Sequence, residues 1–265
     1  MGIEVLSASH PIVQEKLVVR GLTKQFTVKN SQMVVFRDIS FSVQEAEFVC
    51  ILGPSGCGKS TLLLCVAGLE SFSGGEIVVN GQSINGPGPD RGMVFQEYAL
   101  FPWRTVARNV EFGLEMSCGE GRHQRRVTVR HLLGLVGLTD FADYYPYQLS
   151  GGMRQRVAIA RSLATSPALL LMDEPFGALD AITRKSLQDE TLRIWEKTRM
   201  TIIFVTHNIL EAVYLADKVI CFSRGPGRIK REVIVDLPRP RDVDTPNSET
   251  QQVIQILKEL LLEES

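Results

Sequence analysis

The sequence predicts an α/β protein with a mostly parallel sheet at its core, an antiparallel β subdomain near the N-terminus and an inserted α-helical subdomain. Three observations predict it. The short runs "EFVCILG", "ALLLMDEP" and "TIIFVTH" are nearly continuously apolar, as strands buried on both faces are. Helical stretches fall between strands, and that alternation argues for parallel pairing. From about 97 to 165 the pattern turns helical and more polar, which reads as a subdomain set into the sheet protein.

In chain order, "EKLVVRGLTKQF" and "VVFRDISFSV" read as strands, with alternating and β-branched residues. "EFVCILG" runs into a glycine-rich loop, and "KSTLLLCVAGL" then reads as a helix. "GGEIVVNGQSI" is a hairpin, because Asn80-Gly81 suits a type I′ turn. "NVEFGLEM" and "VRHLLGLVGL" lie inside the helical region, and "ILEAVYLADKV" reads as a helix between the strands "TIIFVTH" and "VICFS". The tail, 241–265, has proline-rich turns and then an acidic amphipathic helix, too short for a second domain. The main unit is taken as 16–240.

The bulk numbers narrow the function classes. At 265 residues the chain makes one large domain or two small ones. A formal net charge of −1 gives no electrostatic case for nucleic acid as the main partner. The basic cluster "GRHQRRVTVRH" reads as a solvated helix face. Cys50, Cys57, Cys65, Cys118 and Cys221 are scattered and contain no CxxC pair, which points to free thiols in a reducing compartment. The start, "MGIEVLSASHPIVQEKLVV", lacks the pattern of a secretory signal; Gly2 fits a loose myristoylation pattern that is common by chance. No apolar run approaches the roughly 20 residues that span a bilayer.

Residues 53–60, "GPSGCGKS", match G-x-x-x-x-G-K-[ST], follow a buried strand and open a helix. Gly53, Gly56 and Gly58 let the backbone form a nest of N–H groups for phosphate oxygens. The helix N-terminus adds a partial positive charge. Lys59 reaches the β- and γ-phosphates and Ser60 offers its hydroxyl to Mg²⁺. Gly53, Pro54, Ser55, Gly56, Cys57, Gly58, Lys59, Ser60 and Thr61 are thus the candidate nucleotide loop of a P-loop NTPase (RecA-like) core. Asp173 ends another apolar run and is the candidate second metal anchor. A second carboxylate beside it, Glu174, is costly by like-charge repulsion; orienting or deprotonating an attacking water justifies it.

"LSGGM" (149–153) followed by a helical run is by itself a moderate signal for another anion site, with Ser150 as N-cap. With the glycine loop and "LLLMDEP", the sequence resembles the ATP-binding subunits of ABC transporters from about 16 to 240. The resemblance implies an ATPase in which two chains, identical or homologous, pack head to tail. Each ATP then lies between the loop of one and Ser150, Gly151 and Gly152 of the other. It further implies that Phe26 stacks on adenine, that Gln96 touches Mg²⁺ and the attacking water, and that Asp180 communicates across the dimer. His207 contacts the γ-phosphate in the same family. Met153 departs from the commonest pattern, which has glutamine there, and spares the phosphate-binding Ser150-Gly151-Gly152. "LSGGMRQRVAIAR", 96–114 and 224–241 resemble the nitrate, sulfonate and taurine importer branch. That branch implies permease partners, an external solute-binding protein and a peripheral place on the cytoplasmic face of the membrane. The rival reading is a soluble ABC-type ATPase without a membrane partner. Repair types carry long coiled-coil or zinc inserts and translation types carry two cassettes, and neither fits this chain.

Overall fold

The computed structural model describes residues 15–28, 31–116 and 121–262; the Gly2 pattern and Cys118 lie outside the described residues. The chain opens with a long antiparallel pair, β1 (Glu15–Val28) and β2 (Ser31–Gln44). On β2, Ile39, Phe41 and Val43 turn inward with the two-residue period of a half-buried strand, and an irregularity at Asp38 (φ 55°) brings Phe36 inward as well. β3 (Phe48–Leu52) is buried at every residue. It delivers the glycine loop to α1 (Lys59–Ala67), which is apolar on all sides after its polar first residues and correspondingly buried there. β4 (Gly74–Val79) and β5 (Gln82–Ser83) form the expected hairpin, and Asn80 and Gly81 have φ of 50° and 75°, as a type I′ turn requires. The first sheet, in the order β2-β1-β4-β5, is antiparallel throughout.

After β6 (Arg91–Val94) come α2 (Val106–Met116), α3 (Arg122–Leu135) and α4 (Gly151–Leu163). Buried Asn109 fixes the irregular segment before α2. Its side chain accepts from the Phe101 N–H at 2.8 Å and donates to the carbonyls of Phe101, Arg104 and Thr105.

The chain then alternates: β7 (Leu169–Asp173), α5 (Ala181–Thr198), β8 (Thr201–Thr206), α6 (Ile209–Leu215), β9 (Lys218–Phe222), β10 (Ile229–Ile234) and α7 (Ser248–Leu262). The second sheet has the order β10-β9-β3-β8-β7-β6, parallel except for β10 on β9. Two features depart from the sequence reading. The helix read from "ILEAVYLADKV" stops at Leu215, and its last residues enter β9. Tertiary bonds decide this: Asp217 donates its N–H to the Phe48 carbonyl at 2.7 Å and accepts the Phe48 N–H at 2.9 Å. β10 is an additional strand, paired antiparallel on β9 at the sheet edge.

Because strand side chains alternate between faces, the parallel strands feed two cores. Val49, Ile51, Leu171, Ile203 and Val205 pack with α1 and the antiparallel sheet. Phe48, Cys50, Leu170, Met172, Ile202 and Phe204 pack with the helices on the other side. The tail belongs to this second core through Ile254 and Leu257 of α7. Buried Arg241 donates to the carbonyls of Val213, Val235 and Leu237, and burial pulls its guanidinium pKa down to about 10. The described cysteines, Cys50, Cys57, Cys65 and Cys221, are buried free thiols.

Candidate functional site

β3, β8 and β7 are adjacent and parallel, so their carboxyl ends lie side by side. Those ends carry Gly53, His207 and Asp173, and ligands of such sheets bind beyond the carboxyl ends of the strands. Gly58 stands in the left-handed region (φ 98°), and a Cβ there would come within 2.8 Å of Val35 Cγ1, so the loop needs glycine on both counts. Lys59 is buried, its Nζ donating to the carbonyls of Gly53 and Pro54 at 2.9 Å each. The segment 223–228 packs between the loop and β2: a Cβ on Gly227 would collide with the Cys57 carbonyl oxygen. The Gly227 N–H donates to the Val35 carbonyl at 2.8 Å, and the Arg37 N–H donates to the Gly227 carbonyl at 3.1 Å.

The Ser60 hydroxyl donates to Asp173 Oδ1 at 2.8 Å. Burial pushes the Asp173 carboxyl above its ordinary range; Ser60 works against this and the adjacent Glu174 charge adds to it. Glu174 has a left-handed backbone (φ 40°), a strained state that a non-glycine residue holds only where its surroundings enforce it. Its N–H donates to the Val205 carbonyl and its carbonyl accepts the Gly177 N–H, each at 3.1 Å. Its carboxylate Oε2 meets His207 Nδ1 at 3.0 Å. Gln96 is exposed beyond β6. Its amide nitrogen and Glu174 Oε2 lie 3.8 and 3.9 Å from a Cβ built on Gly177, so both flank the turn after Glu174.

Phe26 is half-buried on β1, opposite Met33 of β2, two residues before the Val35 that touches Gly58. Ser150 caps α4 and its hydroxyl accepts the Met153 N–H at 3.3 Å. Asp180 caps α5 and accepts the Thr183 N–H at 3.0 Å, and that bond holds its carboxyl below the usual range. A Cβ on Gly152 would lie 2.7 Å from Thr183 Cγ2, and one on Gly151 would lie 3.1 Å from the Tyr98 hydroxyl. The expected residues therefore form two groups. The 53–61 loop, Gln96, Asp173, Glu174 and His207 gather at the strand ends. Ser150, Gly151 and Gly152 pack on the first turn of α5 beside Asp180. Among the described residues no hydrogen bond joins the 150–152 turn to the 53–61 loop.

Glu211 escaped the sequence reading. It is buried, accepts from the Thr206 hydroxyl at 2.6 Å and the Gln188 amide at 3.3 Å, and lies 3.9 Å from Arg184. Arg184 donates to the Leu179 carbonyl at 2.9 Å, so one buried carboxylate ties the strand end before His207 to the helix after Asp180. Burial raises the Glu211 carboxyl, against the Thr206 bond. The one signal in the sequence was an acid in the first turn of an otherwise apolar helix.

Comparison with known proteins identifies the family and the fold. The ABC transporter family model matches residues 36–177. An uncharacterized ABC transporter ATP-binding protein of Methanocaldococcus jannaschii is 52% identical over 227 residues, 86% of this chain and 85% of its own. A nitrate import ATP-binding protein of Synechocystis sp. is 47% identical over 237 residues, covering 89% and 88%. A solved dimeric ATP-binding cassette in a post-hydrolysis state, bound to ADP and Pi, superposes with a TM-score of 0.74 at 31% identity, covering 84% of this chain and all of its own. The chain belongs to the ABC transporter family, as an ATP-binding subunit and ATPase with the P-loop NTPase fold.

Proposed function

We propose that two cassettes share ATP across a head-to-tail interface and so power a membrane permease that imports a small anion. The observation that carries this reading is that two anion-ready turns of one chain pack on different elements. A serine and two glycines at a helix N-terminus suit a phosphate, and Gly152 of that turn abuts Thr183 of α5, whereas Gly58 of the nucleotide loop abuts Val35 of β2. ATP on a neighbour's loop gives it a ligand. A similar cassette solved as a dimer with ADP and Pi supports the pairing of two cassettes.

In this reading residues 53–61 cradle the phosphates and Phe26 stacks on the base. Ser60, Asp173 and Gln96 would hold Mg²⁺. A hydroxyl, a carboxylate and a side-chain amide oxygen are the hard donors that this ion takes, and Ser60 and Asp173 already meet at 2.8 Å. Held there, the ion would supply positive charge to the phosphate oxygens. Glu174 takes a proton as water attacks the γ-phosphorus; the bond to the bridging oxygen breaks, and ADP and phosphate leave. His207, oriented by Glu174, holds the γ-phosphate. Asp180, beside the Ser150 turn, reports occupancy between the two chains.

Among the described residues no helix is long and apolar enough to cross a membrane, so a separate permease carries the cargo. It docks near Gln96 and the helical subdomain, on the cytoplasmic face, and a solute-binding protein supplies it. The nitrate import relative favours nitrate or a similar small anion as the cargo; the importer-branch resemblance adds a sulfonate or taurine. The chain is to be tagged in its own cells and recovered from solubilised membranes. Co-purification of a multi-span permease supports the reading, and recovery from the soluble fraction alone contradicts it.

A further inference from the structure

Lys24 is a buried cation that neither the phosphate loop nor the metal-holding residues use. It is 4% exposed. Its Nζ lies 2.7 Å from Glu70 Oε1, 3.4 Å from Ser71 Oγ and 4.3 Å from the centroid of the Phe26 ring. Taking an ammonium group out of water is costly, and Glu70 offsets that cost. Charge pairing alone does not call for an aromatic face as well. A cation over a ring is drawn to the negative face of its quadrupole, which fixes the ring's orientation.

The surroundings anchor this contact at both ends. Segment 70–73, just beyond α1, is bonded to β1 on either side of Lys24. The Ser73 N–H donates to the Thr23 carbonyl at 2.7 Å, and the Gln25 N–H donates to Ser73 Oγ at 3.0 Å. On the other side Phe26 pairs with Met33 of the strand whose Val35 touches Gly58. Phe26 therefore sits on a strand tied through β2 to the phosphate loop, and its ring meets a lysine tied to the segment beyond the helix that the loop opens.

We propose that Lys24, anchored by Glu70, is a positioning residue for the nucleobase: its ammonium occupies one face of Phe26 and leaves the other as the platform for adenine. This rests on the reading of Phe26 as the stacking ring. A lysine with a purely structural task would affect every ligand of the phosphate loop alike. A positioning task affects only ligands that carry a base.

The test is equilibrium binding of Mg·ATP and of Mg·tripolyphosphate, which lacks a base, to the full chain and to Phe26→Ala, Lys24→Met, Lys24→Arg and the Phe26→Ala/Lys24→Met pair. Lys24→Met should weaken ATP about fivefold and leave tripolyphosphate unchanged. Lys24→Arg should recover most of the loss, and Lys24→Met should add nothing to Phe26→Ala. Equal weakening of both ligands by Lys24→Met, or none, overturns the proposal. Wild-type ATP affinity in Phe26→Ala overturns the stacking reading and the proposal with it; weakening there without weakening in Lys24→Met overturns the proposal alone. If Lys24→Met fails to fold, Glu70→Gln, at a more exposed position, loosens the same anchor. It should weaken ATP about twofold and spare tripolyphosphate; wild-type affinity for both, or equal weakening of both, overturns the proposal.

Discussion

Glu174 Oε2 and His207 Nδ1 lie 3.0 Å apart, bridging the loops that leave two neighbouring parallel strands. The carboxylate is mostly buried and the imidazole mostly exposed, so the pair presents an oriented ring toward solvent from a fixed base. Glu174→Gln keeps the shape and removes the basicity. ATP should still bind, and phosphate release should fall by about 10²- to 10⁴-fold. Unchanged turnover would remove Glu174 from the chemistry.

Lys59 has its hydrogen-bond acceptors inside its own loop, at the Gly53 and Pro54 carbonyls and the Cys57 sulfur. Lys59→Ala takes away those bonds along with the contact to phosphate. ATP affinity should drop by about a hundredfold or more, read by a fluorescent nucleotide. Lys59→Arg should not restore it, because the planar fork cannot replace a compact ammonium in a buried turn.

What was legible in the sequence was local. Three glycines and a lysine after an apolar run, or an aspartate at the end of another, carry their meaning within about ten residues. Asn80-Gly81 announced its own turn, and Ser150 its own cap. The rest depends on partners far away in the chain. Asp217 turns "ADKV" out of a helix because it meets Phe48, 169 residues earlier. Lys24 becomes a buried cation because Glu70 lies across from it, and Glu211 acquires its task from Thr206, Gln188 and Arg184. No periodicity within one segment encodes such meetings. The packing of Gly152 on Thr183, which seats the Ser150 turn on α5, is of the same kind.

Glu211 gives a prediction in pH. Burial raises its carboxyl, so the native state keeps this proton to higher pH than the unfolded chain does. Above the ordinary carboxylate range the native state binds more protons than the unfolded one, and stability falls as pH rises through that window. A neutral glutamine takes no part in this. Thermal unfolding of wild type and Glu211→Gln should shift in favour of the variant as pH rises from about 4 to about 7. Parallel curves would contradict it.

The Ser150 cap has a folding role and a proposed binding role that can be separated. Ser150→Arg removes the acceptor for the Met153 N–H, which should lower Tm by about 2–4 °C. It should also abolish hydrolysis. Lys59→Ala protein should be inactive too. Mixed together, the two should recover turnover, because one composite site per heterodimer keeps an intact loop and an intact turn. A dead mixture would count against shared sites.

The most direct measurement is an experimental structure of the Glu174→Gln variant grown with ATP and Mg²⁺. Residues 150–152 of one copy should lie within hydrogen-bond distance of the triphosphate on the other copy's loop. A bound triphosphate with those three residues remote from it in both copies would contradict the account.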